Sequence, residues 1–204
     1  MKRISIFFLL LIVAFALYWF YFRPKSHHPK GPKPVPMALK KHSDNFNATV
    51  NTIITDYLSI KDAFIDADTA TVKAKTASFI LALAALDTAE LKKDTAMIIE
   101  TVQASLNDVR SNAESLLKQT DITEMRRDFS SMTEMMYPTF FKAIKYEGPK
   151  LFLQNCPMAF NDNEPANWIS NSEEVVNPYL GKAHPKYKAT MLHCGEVKDT
   201  IKAQ

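Results

Sequence analysis

Two cysteines stand in this chain of 204 residues, Cys156 in "QNCPMAFN" (154–161) and Cys194 in "TMLHCGEV" (190–197), and each has a methionine close by, Met158 and Met191. Thiolate and thioether are soft, polarizable donors of the kind that select copper(I), whereas magnesium and calcium demand oxygen cages that these stretches lack. In extended chain, residues two apart share a face, so Cys156 and Met158 point the same way across Pro157. Met191 and Cys194 share a face in a helical turn, and Met191 and His193 share one in a strand. Three readings fit the pair: a soft-metal site, a Cys156–Cys194 disulfide natural to an exported domain, and ordinary packing. The spacing is not that of structural zinc, because the cysteines lie far apart in sequence and no C-x-x-C occurs. Cys156 as a nucleophile activated by His184 or His193 lacks a third group to orient the base.

Elsewhere the chain is poor in chemistry. It holds no Gly-rich phosphate loop, no H-E-x-x-H and no G-x-S-x-G. Glu173, Glu174, Glu196 and Asp199 lie near the cysteines in sequence, but nothing in the pattern positions them, so no enzyme is expected. Met125, Met132, Met135 and Met136 read as gap-filling core, and Arg126-Arg127 with Glu124 and Asp128 as a solvated helical face.

The elements that must position the sulfurs follow from breakers and periodicity. Only 4 Gly occur, and the 11 Pro gather near the N-terminus and in the last third, which leaves a long middle stretch suited to helices. There the apolar residues recur at helical spacing in four stripes: Phe46 to Phe64, Val72 to Leu86, Ile98 to Leu117 and Met125 to Ile144. Asp68, Asp94 and Asp121 fall at the starts expected of N-caps, Asp121 with Glu124 in capping-box spacing, and Pro138 should break the fourth helix near Tyr137. The pattern predicts an all-α fold, an up-down four-helix bundle over residues 37–146. After Gly148-Pro149 the prolines and turn residues predict a small irregular segment of short extended pieces and loops over 147–204, packed on the bundle.

Ahead of the bundle, residues 4–22 carry no charge, span roughly 28 Å as a helix, and end in the aromatic cluster Tyr18 to Tyr21. Ala14-Phe15-Ala16 has the form a signal peptidase accepts, yet the apolar run continues past it, so residues 1–23 are expected to stay as a transmembrane anchor; cleavage would give a secreted periplasmic form. Residues 24–36 are a Pro-rich linker that extends as polyproline II, and its His27-His28 pair reads as solvated. Eight of the 25 Lys and Arg precede the first acid, Asp44, so the remaining 17 face 22 acids and that part carries −5. This balance excludes nucleic acid as the expected partner and matches a basic head against lipid phosphates.

"LFLQNCPMAF", "ANWIS", "NPYLG" and "MLHCGEV", in that order, resemble the motif string of a bacterial envelope family catalogued as domain of unknown function 3347, and "YLSIKDAFIDADTATVKAKTASFILALAALD" resembles its opening helices. The resemblance covers roughly residues 46 to 200. Members occur as small secreted or anchored proteins and also appended to periplasmic adaptor subunits of copper and silver efflux pumps. It implies a helical bundle whose motif segment gathers Cys156, Met158, Met191 and Cys194 around a copper(I) or silver ion, on a single-pass inner-membrane protein facing the periplasm, with a heavy-metal efflux component as partner. Against the family pattern "KAHPKYKAT" is long, and the extra loop offers His184, beside His193 of the last motif, as a further ligand.

Overall fold

The computed structural model describes residues 42–93 and 96–203, together with Tyr18. The expected anchor (1–23), the linker (24–36) and the Asp94 cap lie outside the described residues, apart from Tyr18. The chain divides into two units at Lys40, and everything below belongs to the second, Lys41–Gln204. Among the described residues no helix is long and apolar enough to cross a membrane.

The four expected helices are present: α1 (Asp44–Ile65), α2 (Thr69–Ala85), α3 (Ala96–Lys118) and α4 (Ile122–Met135), with a 3-10 turn at Thr88–Lys93. Each packs on the next in chain order, as short connections favour. Their starts are set by side-chain oxygens that accept otherwise unpaired first-turn N–H groups. Ser43 accepts from Phe46, Asp68 from Thr71, and Asp121 from both Thr123 and Glu124. Those bonds hold the Asp68 carboxyl, chiefly through the Thr71 side chain, and the Asp121 carboxyl, chiefly through the Glu124 amide, below the usual carboxylate range. The helix break expected at Pro138 is there: α4 stops at Met135, Tyr137 turns to extended φ/ψ, and a short α5 (Phe141–Ala143) follows.

The C-terminal third departs from the all-α expectation. In place of irregular pieces it forms an antiparallel sheet of three strands, β1 (Leu151–Phe160), β2 (Glu164–Ser170) and β3 (Glu196–Ile201), in the order β2-β1-β3. Alternation fails as a signal because Leu151 through Cys156 are all buried, on both faces of the central strand. The side-chain amide nitrogens of that run find partners internally, while Gln154 Oε1 is buried without one. The Gln154 amide donates to the carbonyls of Ser172 and Glu174, and the Asn155 amide to Asn167 Oδ1 at 2.9 Å.

Sheet and bundle share one core. Phe129 of α4 stacks on Tyr57 of α1 with centroids 4.9 Å apart and lies 6.1 Å from Tyr179, which in turn meets Trp168 of β2 edge-on at 5.9 Å. A polar thread crosses the same seam. The Ile169 amide of β2 donates to the Tyr57 hydroxyl at 3.1 Å, that hydroxyl lies 2.5 Å from Thr133 Oγ1, and Thr133 donates to the Phe129 carbonyl. Burial pushes the Tyr57 phenol well above its ordinary pKa, so it stays a neutral donor. Tyr57→Phe strands the Ile169 N–H in the core and should cost about 1–3 kcal/mol, read as a lower denaturant midpoint at unchanged slope. An unchanged midpoint would mean that this thread contributes nothing.

Candidate functional site

The backbone brings the two cysteines together. Cys156 lies on β1 opposite Ala166 of β2, at the point where Pro157, which has no N–H to give, is followed by a slip in register. On the other side Asn155 pairs with Glu196, the first residue of β3, so the residues just before Glu196 are delivered beside Cys156. Cys194 closes a tight turn, its amide donating to the Met191 carbonyl at 3.0 Å. Residues three apart in such a turn lie on one side, which sets Met191 beside Cys194.

Gly195 makes the approach possible. Its φ is +142°, and a Cβ there would fall 2.6 Å from the Asn155 carbonyl oxygen and 3.0 Å from the Trp168 ring. Only a residue without a side chain lets the strands meet here. Asn177, fully buried, then fixes the turn. Its amide donates to the Cys194 carbonyl at 2.8 Å, its backbone N–H to the Leu192 carbonyl at 2.8 Å, and its Oδ1 accepts from Tyr179 and Leu180.

As a result the Cys156 and Cys194 sulfurs stand 3.3 Å apart, both as free thiols. Cys156 is sealed from solvent, and Cys194 is half-buried. Met158 and Met191 are both half-buried and packed against the core. Burial, followed by the neighbouring Cys156 thiol, pushes the Cys194 thiol up to about 11. The Cys194 thiol therefore rests protonated at neutral pH.

The two histidines part company. His193 is exposed and its Nδ1 lies 2.8 Å from the Val175 carbonyl. Since a carbonyl only accepts, Nδ1 carries the proton and Nε2 is left as the donor atom for an ion. His184 is built into a different place: it stacks on Tyr187 at 5.0 Å, its Nδ1 accepts from the Lys186 and Tyr187 amides, and it lines a cavity with Arg126 and Asp121. Among the described residues no group of three or more His, Cys, Asp or Glu side chains is placed to hold a metal ion.

Residues 53–146 match the family described as protein of unknown function (DUF3347). That stretch of the chain is similar to the family. No curated protein and no solved structure matches the chain. The DUF3347 match takes in most of α1 and all of α2 to α5 and ends at Tyr146, so Cys156, Cys194 and all four C-terminal motifs lie beyond it.

Sequence reasoning passed over the residues that build the site. Gln154 and Asn177 were visible only as parts of motifs, and their roles as clamps depend on contacts across the fold. Gly195, placed directly after Cys194 in a chain with so few glycines, was the one available signal.

With the protein reduced, iodoacetamide should modify Cys194 ahead of Cys156. Because the thiolate is the nucleophile and the Cys194 thiol is raised to about 11, its rate should climb about tenfold per pH unit from 7 to 10. A plateau near pH 8, followed by peptide mass mapping, would contradict the raised Cys194 thiol.

Proposed function

We propose that this chain is a membrane-tethered periplasmic protein that binds a soft heavy-metal ion, copper(I), for tolerance or hand-over to an efflux system. The observation that carries the reading is the 3.3 Å approach of two free thiols contributed by stretches far apart in sequence. Thiolate and thioether donors in an apolar setting suit a soft monovalent ion, and Cys156, Cys194, Met158 and Met191 are the residues that would hold it. Oxygen donors are scarce nearby: Glu173, Glu174 and Glu196 are exposed, and Asp199 bonds the Tyr137 hydroxyl. Binding must release the proton of the raised Cys194 thiol, so affinity should rise with pH.

His193 joins as a further ligand through Nε2, its Nδ1–H held by the Val175 carbonyl. His184 is dropped from the ligand set, since every contact it makes is with its own loop or with the cavity beside Arg126. The membrane tether and the efflux partner rest on the N-terminal sequence and on the family resemblance respectively. Catalysis is not part of this reading.

The same contact favours a second reading, a non-catalytic envelope interaction module stapled by a Cys156–Cys194 disulfide. A bond needs the sulfurs at about 2.05 Å, a small side-chain movement from 3.3 Å. A loop of that length would contribute about 3 to 4 kcal/mol in the chain-entropy model.

Titrating the reduced full-length chain with copper(I) against a competing chelator tests the first reading. One equivalent should be withdrawn. Cys156→Ser and Cys194→Ser should each weaken uptake at least about a hundredfold, and Met158→Leu or Met191→Leu about tenfold. Indifference of the reduced wild type to copper(I) would end this proposal, and a mass two hydrogens short in protein taken from the periplasm would favour the staple.

A further inference from the structure

Arg126 stands one turn past the start of α4 and is only 6% exposed, far from the solvated face its sequence neighbours suggest. Its Nη2 donates to the Phe64 carbonyl at 2.9 Å, and its Nε is sealed without a hydrogen-bond partner. Among the ion pairs of the described residues none reaches this guanidinium, whereas adjacent Arg127 pairs with Glu164 at 2.9 Å. A buried cation compensated only by dipoles is costly. Burial pulls its pKa down to about 10, with the Asp121 charge opposing, so Arg126 remains charged at neutral pH and gains from any anion brought to it.

Arg126 lines a cavity of about 590 Å³, walled by the first turn of α4, the end of β1 and the loop around His184. That is the size of a small-molecule site. Ile122, Ala159, Phe160 and Pro185 supply apolar surface. The other polar groups are mostly committed. The Asp121 carboxylate accepts from the Thr123 and Glu124 amides, so the helix end offers no free donor there. Asp162 is held by Lys186 and Tyr187, and the Tyr179 hydroxyl donates to the Asn167 carbonyl. His184 is the exception. With Nδ1 accepting from two amides, its neutral ring carries the proton on Nε2, leaving one N–H to give.

We infer that this cavity is a binding site for a small organic monocarboxylate with an aromatic body, the carboxylate meeting Arg126 and the His184 Nε2–H, the body lying on Phe160 and Ile122. A single cation without an ion-pair partner calls for one negative charge. The Asp121 and Asp162 carboxylates on the same wall are both held ionised, Asp121 chiefly by the Glu124 amide and Asp162 chiefly by Lys186, and they would repel a phosphate dianion. The site shares no residue with the cysteine pair, so it stands whether or not a metal binds there.

Calorimetric titration of the full-length chain with naphthylacetate, its neutral counterpart naphthylacetamide and inorganic phosphate tests the inference. Naphthylacetate should bind saturably and at least tenfold tighter than either of the others. Arg126→Gln should erase the preference for acid over amide. Should that variant fail to fold, His184→Phe carries the test, and it should weaken the acid about threefold while leaving the amide unchanged. Equal affinity for acid and amide, absence of saturable binding, tighter binding of phosphate, or a preference that survives both substitutions would each overturn the proposal.

Discussion

The C-terminal half of this molecule hangs on one buried amide. Asn177 ties the Cys194 turn down through two hydrogen bonds, shapes the Tyr179-Leu180 turn through two more, and its carbonyl accepts from Gly181. Gly181 in turn sits at φ +57° where a Cβ would fall 2.8 Å from the Ile65 carbonyl, at the end of α1, and the next residue donates to that same carbonyl at 2.8 Å. An apolar residue at 177 would take the partner from the Tyr179 and Leu180 N–H groups and from the Cys194 carbonyl. Buried amides are costly unless fully matched, and a matched one permits a single arrangement. The sulfur pair and the wall of the Arg126 cavity are therefore set by the same side chain.

The two candidate sites have opposite electrostatic characters, and each follows from what surrounds it. At the cysteines, burial and the neighbouring thiol keep Cys194 protonated, so a ligand gains there by displacing that proton. At Arg126 the charge cannot be shed near neutral pH, so a ligand that supplies the opposite charge gains instead. Strand β1 serves both, with Cys156 in its middle and Phe160 at its end. Its register slip after Cys156 lets one strand contribute to two differently directed surfaces.

The bundle was legible because its signals are local. Helical spacing, the Asp68 and Asp121 caps and the break at Pro138 depend on residues a few positions apart, and the structure has all of them. The sheet was not. Period-two alternation announces a strand with one wet face, and β1 has two dry ones, while Gln154 and Asn155 resemble loop residues until their partners in the 166–174 stretch are seen. Arg126 was misread for a related reason: among Glu124, Arg127 and Asp128 it looks like one charge of a wet face, and nothing nearby in sequence reveals that α1 ends against it. The pairing of Cys156 with Cys194 was legible as a possibility in residue type, and its geometry required Gly195.

The inequality between the two cysteines bears on how such a pair would be used. Cys156 is fully buried on the central strand, with the half-buried Cys194 as its sulfur neighbour. Cys194 is half-buried on a turn whose other members, Met191 and His193, also retain contact with solvent. On the metal reading, this makes Cys194 and Met191 the point of entry and release and Cys156 the anchoring ligand, an order suited to passing an ion on rather than storing it. On the staple reading, the same inequality exposes one sulfur of the bond to exchange. In both, the chemistry of the pair is governed by the accessible turn, and the turn is held in place by the Asn177 side chain.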